Sequence, residues 1–133
     1  MSKMTQREYR GKHIETGEWV FGSLISDRFI VGDIVEWTDE YFNTEWWLAV
    51  DPDTVGQYTG AVDLKSQKVF VGDIVPGGDG VNGYVIYESG FCAFSVEYHK
   101  YKQLLMDYRA EMGDEFEVIG NIHDHPHLLK GEG

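Results

Sequence analysis

The chain has 133 residues, 42% of them hydrophobic and 14% aromatic, with one cysteine and a net charge of −12. At roughly 150 residues per domain, that length predicts a single domain spanning residues 1–133. The aromatic content excludes a disordered chain, and one cysteine excludes a secreted disulfide scaffold. The longest apolar run, residues 46–50, is far short of the ~18 residues of a membrane span. No apolar stretch of the signal-peptide kind follows Lys3, so a cytoplasmic protein without a membrane partner is expected.

The charge is unevenly placed. Residues 1–12 carry Lys3, Arg7, Arg10 and Lys12 against Glu8. Residues 29–64 carry Asp33, Glu36, Asp39, Glu40, Glu45, Asp51, Asp53 and Asp63 with no lysine or arginine. Affinity for nucleic acid comes mainly from cations that neutralise phosphates, so a small-barrel nucleic-acid binder is disfavoured. An acidic surface of this kind raises the alternative of a DNA mimic that occupies a DNA-binding protein.

Many β-branched and aromatic residues spaced by glycine predict a mainly β fold, with hairpins forming a small barrel or two packed sheets. Residues 7–14 are expected as a first strand and 15–18 as a turn. A second strand over 19–25 places Val20, Gly22 and Leu24 on one face. A third strand over 29–37 is interrupted at Gly32 and Asp33. Residues 45–50 read as a fourth, ended by the turn at Asp51, Pro52 and Asp53. Residues 69–75 follow a polar turn, and 76–83 form a glycine-rich loop. A second hairpin joins 84–87 to 91–98 over 88–90.

Tyr101, Leu104, Leu105, Tyr108 and Met112 recur at helical spacing, which predicts one helix near 100–112 with Gly113 as its stop. Residues 116–122 return as a last strand, and Pro126 opens a short C-terminal helical turn. The sequence of residues 29–35 is echoed at 69–75, each with a central Gly-Asp. This is read as a bend into a strand, with glycine supplying the backbone angle and aspartate bonding nearby N–H groups.

Four segments resemble the YopX family of small phage and prophage proteins: residues 10–24 (RGKHIETGEWVFGSL), 50–60 (VDPDTVGQYTG), 68–75 (KVFVGDIV) and 117–129 (EVIGNIHDHPHLL). The resemblance implies a mainly β protein of phages, prophages and mobile elements, with no activity, cofactor or catalytic residue to carry over. Residues 26–47 and 76–115 match poorly, where the family varies in length. The chain also departs from the family at His123, His125 and His127, where the family more often has Tyr, Asn and an acidic residue.

Candidate chemistry is sparse. His123, His125 and His127 are weak metal candidates, since His-x-His spacing can pair two imidazoles but a structural site usually needs four ligands. Cys92 is expected in a strand as a small buried hydrophobe, with no third group to orient His99 as its base. The Gly77–Gly80 run lacks the Lys and Ser/Thr of a phosphate loop. Asp33 and Asp73 sit in no aspartic-protease context. No catalytic, cofactor or metal site is assigned, and a non-enzymatic protein is expected.

Gly56, Gln57, Tyr58, Thr59 and Gly60 are read as structural, satisfying backbone groups where the chain crosses between sheets; the alternative is an exposed partner-binding turn. Gly72, Asp73, Gly120 and Asn121 are likewise structural. The group Trp37, Tyr41, Phe42, Trp46 and Trp47 holds more large rings than one short hairpin can bury. Two packed sheets could absorb these rings as core; otherwise they are the candidate interaction surface, for a homo-oligomer or for a host or phage protein.

Overall fold

The computed structural model describes residues 8–78 and 80–129. Arg7, expected to open the first strand, and Asp79 of the glycine-rich loop lie outside the described residues. The chain divides between Tyr58 and Thr59 into two compact units.

In the first unit, β1 (Tyr9–Lys12) and β2 (Trp19–Ile25) form an antiparallel hairpin, with Tyr9 opposite Gly22 and Lys12 opposite Trp19. Two backbone bonds, Gly17 N–H to His13 O and His13 N–H to Glu18 O, each 2.9 Å, hold the turn. Alternation sorts β2 as expected: Val20 is buried and Gly22 and Leu24 half-buried, while Phe21, Ser23 and Ile25 are exposed.

β3 (Phe29–Val31) pairs with β2 on one side and with β6 (Trp47–Ala49) on the other. Between them, β4 (Ile34–Trp37) and β5 (Phe42–Thr44) form a ladder of their own. Gly32 N–H donates to Trp46 O at 3.0 Å and Glu45 N–H to Asp33 O at 2.8 Å. The four strands therefore run as one long hairpin over 29–49, bent where the sequence breaks at Gly32 and Asp33. Glycine leaves room for the ring at the bend: a Cβ on Gly32 would lie 2.6 Å from Trp46 Nε1, so a larger residue would displace the indole.

The far end of β6 returns to the end of β1. His13 and Val50 form an antiparallel bridge, Ile14 N–H donates to Ala49 O, and Asp51 N–H donates to Lys12 O. A 3-10 turn (Pro52–Thr54) follows, capped by the Asp51 carboxylate on Asp53 N–H. Thr54 Oγ1 accepts from Lys12 N–H at 2.8 Å and donates to Asp51 O at 2.7 Å, pinning this turn to β1. Val20, Ile30 and Val50 form the small core enclosed by this sheet, with Tyr9, Leu24 and Val55 packed against it. Full burial of each such aliphatic contributes about 1.5–3 kcal/mol.

β7 (Gly56–Val62) carries the chain from one unit into the next. The alternative of an exposed turn at Gly56–Gly60 is corrected: Gly56 and Gln57 pair with Arg10 and Tyr9, which draws the segment into strand conformation. The expected strand 45–50 is also shorter, and residues 42–44, not anticipated, supply β5.

The second unit continues with β8 (Lys68–Phe70) and β9 (Asp73–Val75), then β10 (Gly83–Glu88), β11 (Ala93–Glu97) and β12 (Lys102–Leu104). One helix, α1 (Leu105–Met112), is followed by β13 (Gly120–Asn121) and a 3-10 turn (Pro126–Leu129). The main sheet is antiparallel in the order β12-β11-β10-β9-β13. Among the described residues no sheet closes into a barrel.

The helix occupies the later part of the stretch near 100–112, because residues 102–104 are taken up by pairing with β11. Leu105 and Tyr108 are buried with Val69, Val75, Val85, Val96 and Phe116, and Met112 packs against them. The Tyr108 hydroxyl donates to Pro76 O at 2.6 Å, and its ring meets Phe116 edge-on at 5.2 Å. Burial, and after it the nearby Tyr98, push the Tyr108 phenol far above its usual range. Gly113 ends the helix in left-handed backbone, as expected. Of the strand expected over 116–122, only Gly120 and Asn121 form a strand, although Phe116, Ile119 and Ile122 also make backbone bonds, to Leu64, Ile74 and Gly72. Residues 89–92 turn the second hairpin, which takes Cys92 out of a strand: it is exposed, at φ 53°, rather than buried.

Candidate functional site

The hairpin β4–β5 carries a dense apolar surface. All four residues of β4 are exposed. Trp37 is 72% exposed, Trp47 63%, Tyr41 53%, Phe42 49% and Trp46 37%. Trp37 stands directly opposite Phe42 in the ladder, so both rings share one face. Asn43, one place along, is opposite Glu36 and donates to its carboxylate at 2.8 Å. At the tip, Thr38 Oγ1 accepts from Glu40 N–H and Tyr41 N–H, which fixes the turn. Trp46 packs over Gly32, and Trp47 meets Phe29 edge-on at 5.6 Å.

Beside the hairpin lies an open groove of about 590 Å³, lined by Ile25, Phe29, Val31, Phe42, Asn43, Thr44 and Trp47. Five apolar residues and two uncharged polar ones form its wall. Sequence reasoning singled out Phe42 and Trp47 but missed the rest, because Ile25, Phe29 and Val31 come from β2 and β3 and reach the groove only through strand pairing.

The other sequence candidates have local structural roles. The two echoed segments differ in detail. Asp73 is buried, and its Oδ2 accepts from Phe70 N–H at 2.7 Å across a bend where Gly72 takes φ 101°, a backbone region that suits glycine. Asp33 is exposed, and its bend depends on ring packing over Gly32 instead. Thr59 Oγ1 donates to Val69 O at 2.8 Å and accepts from Ala61 N–H at 3.2 Å.

Asn121 organises the C-terminal loop. Its Oδ1 accepts from His123 N–H at 3.0 Å and Asp124 N–H at 2.9 Å. His125 Nδ1 accepts from Asn121 N–H at 3.2 Å and lies where a Cβ on Gly120 would meet it at 2.8 Å. This bond occupies one nitrogen of the ring. The His125 and His127 rings are 6.1 Å apart and steeply inclined. Among the described residues, no three His, Cys, Asp or Glu side chains gather as a metal-binding set.

Asp63, not singled out by sequence, is a buried carboxylate held by three backbone donors. Its Oδ1 accepts from Lys65 N–H and Gln67 N–H, both at 2.9 Å, and its Oδ2 from Val118 N–H at 3.0 Å. Burial alone raises its pKa, but the three backbone donors, helped by the Lys65 charge, outweigh it and hold the carboxyl below its ordinary value.

The fold and this surface define a mainly β protein that displays an aromatic hairpin beside an apolar groove. The chain belongs to the YopX family, whose description is YopX protein, and matches it over residues 8–130. It is also similar to a solved structure, the crystal structure of protein EF1440 from Enterococcus faecalis, at 21% identity and a TM-score of 0.63. That match covers 96% of this chain and 100% of the other, and it shows a shared fold. No curated protein matches the chain. No helix among the described residues is long and apolar enough to cross a membrane.

Proposed function

We propose that the protein is a non-enzymatic protein-interaction module of a phage or mobile element, acting through the aromatic hairpin β4–β5. The observation that supports this reading is the simultaneous exposure of Trp37, Tyr41, Phe42, Trp46 and Trp47 in one short segment. Contiguous apolar patches of more than a few hundred Å² are rare on monomers and mark interaction sites. The acids Glu36, Asp39, Glu40 and Glu45 lie among these rings in sequence. They would form a polar rim of the kind that surrounds interface cores.

The test compares the protein with a Trp37→Ser, Trp47→Ser double variant of matched circular dichroism. Equilibrium sedimentation reads self-association, and affinity capture from a bacterial host lysate reads other partners. Loss of an assembly or of a captured protein in the variant supports the reading. A variant unchanged in both measurements refutes it. The non-enzymatic part is tested by a hydrolase and nuclease screen, where activity lost on replacing His125 or Asp33 would overturn it.

A further inference from the structure

We propose that the groove of one copy receives the hairpin tip of a second copy, with Trp37 entering its apolar wall and Asp39 and Glu40 meeting Arg28 at its rim. This rests on the interaction reading above and names the partner.

The charge pattern carries the argument furthest. Arg28 is the only lysine or arginine between Lys12 and Lys65. It stands in the turn between β2 and β3, whose two ends, Ile25 and Phe29, both line the groove. Its guanidinium bonds its own neighbour Asp27 at 3.2 Å, with the two side chains 58% and 70% exposed. Such exposed pairs contribute little, so an incoming carboxylate can replace Asp27 at small cost. The groove is thus an uncharged, mostly apolar trough, and the one cation of this stretch sits in the turn that joins two of its lining residues. It suits a large ring flanked by acids.

The tip of the hairpin has that composition. Trp37, Asp39, Glu40 and Tyr41 follow one another within five positions, and Trp37 is the most exposed large apolar side chain described. Two chains of net charge −12 repel at long range, but that repulsion is screened beyond ~8 Å at physiological salt. Contacts from Arg28 to Asp39 and Glu40 supply attraction at the short range where screening fails.

The area is also adequate. An aromatic ring buries about 150–250 Å² when fully covered, so five rings at their present exposures offer roughly 400–700 Å² per copy. Ile34 and Val35, both more than half exposed, extend this toward the ~800 Å² per partner of a standard interface. A two-fold arrangement, with each tip in the other's groove, satisfies both contacts at once.

A charge exchange tests the pairing. Arg28→Glu and the double variant Asp39→Arg, Glu40→Arg are prepared separately, and each is checked for native circular dichroism. Each alone places like charges at the contact, and is expected to weaken self-association about tenfold or more in equilibrium sedimentation. Mixed together they present opposite charges at both contacts, and the assembly is expected to return. Trp37→Ser in either partner is expected to weaken that mixed assembly. If the mixture stays monomeric while the wild type assembles, or if Arg28→Glu assembles as the wild type does, the tip-in-groove contact is wrong. The interaction reading then survives on its Trp37 and Trp47 dependence. A wild type that is monomeric at high micromolar concentration overturns the second copy as partner, and leaves affinity capture to decide the broader reading.

Discussion

Replacing Asp63 tests the account of the second unit most directly. Its carboxylate accepts three backbone N–H bonds, two from its own turn and one from Val118, 55 positions away. Asp63→Asn retains one oxygen, which can still serve Lys65 and Gln67, but turns an amide N–H₂ toward the Val118 donor. One charge-assisted bond, about 1.5–3 kcal/mol, is lost and a half-buried N–H is left facing another donor, so a destabilisation of about 2–4 kcal/mol is expected. At this chain length that corresponds to a fall of roughly 8–15 °C in Tm.

The pH dependence gives a second measurement of the same bonds. The folded-state pKa lies below the ordinary value of 3.8. The contribution is therefore complete above that value, and is lost as pH falls through the lower folded value. The difference between wild type and Asp63→Asn should be constant near neutrality and shrink in acid. Urea unfolding followed by circular dichroism across that range is the assay. An Asp63→Asn protein as stable as the wild type at neutral pH, or a difference that does not shrink in acid, would show that the carboxylate does not hold the turn to Val118.

The two echoed glycines should respond differently to alanine. Gly32→Ala drives a Cβ into Trp46 and is expected to cost about 1–3 kcal/mol, with a shift in tryptophan emission that Trp46→Ala relieves. Gly72→Ala is strained by its backbone, about 1–2 kcal/mol, and no neighbouring replacement should restore it. Asn121→Ala removes the acceptor for His123 and Asp124 N–H and should cost about 2–3 kcal/mol in urea unfolding, whereas Asn121→Asp keeps the acceptor and should cost less. Equimolar zinc is expected to leave Tm unchanged. A rise abolished by replacing His123 and His127 would reveal a metal site.

Much of the fold was legible in local pattern. Alternation over residues 19–25, the break at Gly32-Asp33, the stop at Gly113 and the turn opened by Pro126 all act within a few residues. What failed depends on distant partners. Gly56–Gly60 reads as a structural crossing, with an exposed turn as the alternative, and its strand conformation depends on pairing with the distant β1. Residues 102–104 fit the helical stripe but are claimed by β11. Residues 116–122 look like a continuous strand, but their backbone bonds are divided between Leu64, Gly72 and β9, and only two of them stay in strand.

At the candidate site, the exposed rings were visible as a surplus over what a hairpin can bury. The groove was not, because strand pairing assembles it. Arg28 left a signal at the edge of the cation-free stretch, one residue before it begins. Asp63 left none, since its third donor lies far along the chain.

The bent hairpin also bears on how freely this chain can change. β3 and β6 pair with each other on either side of residues 32–46, so the sheet is closed before the aromatic tip begins. That tip is grafted onto a finished frame. The tip can lengthen, shorten or change its residues without re-solving the folding problem beneath. Selection for a new partner and selection for stability then act on separate stretches of the gene.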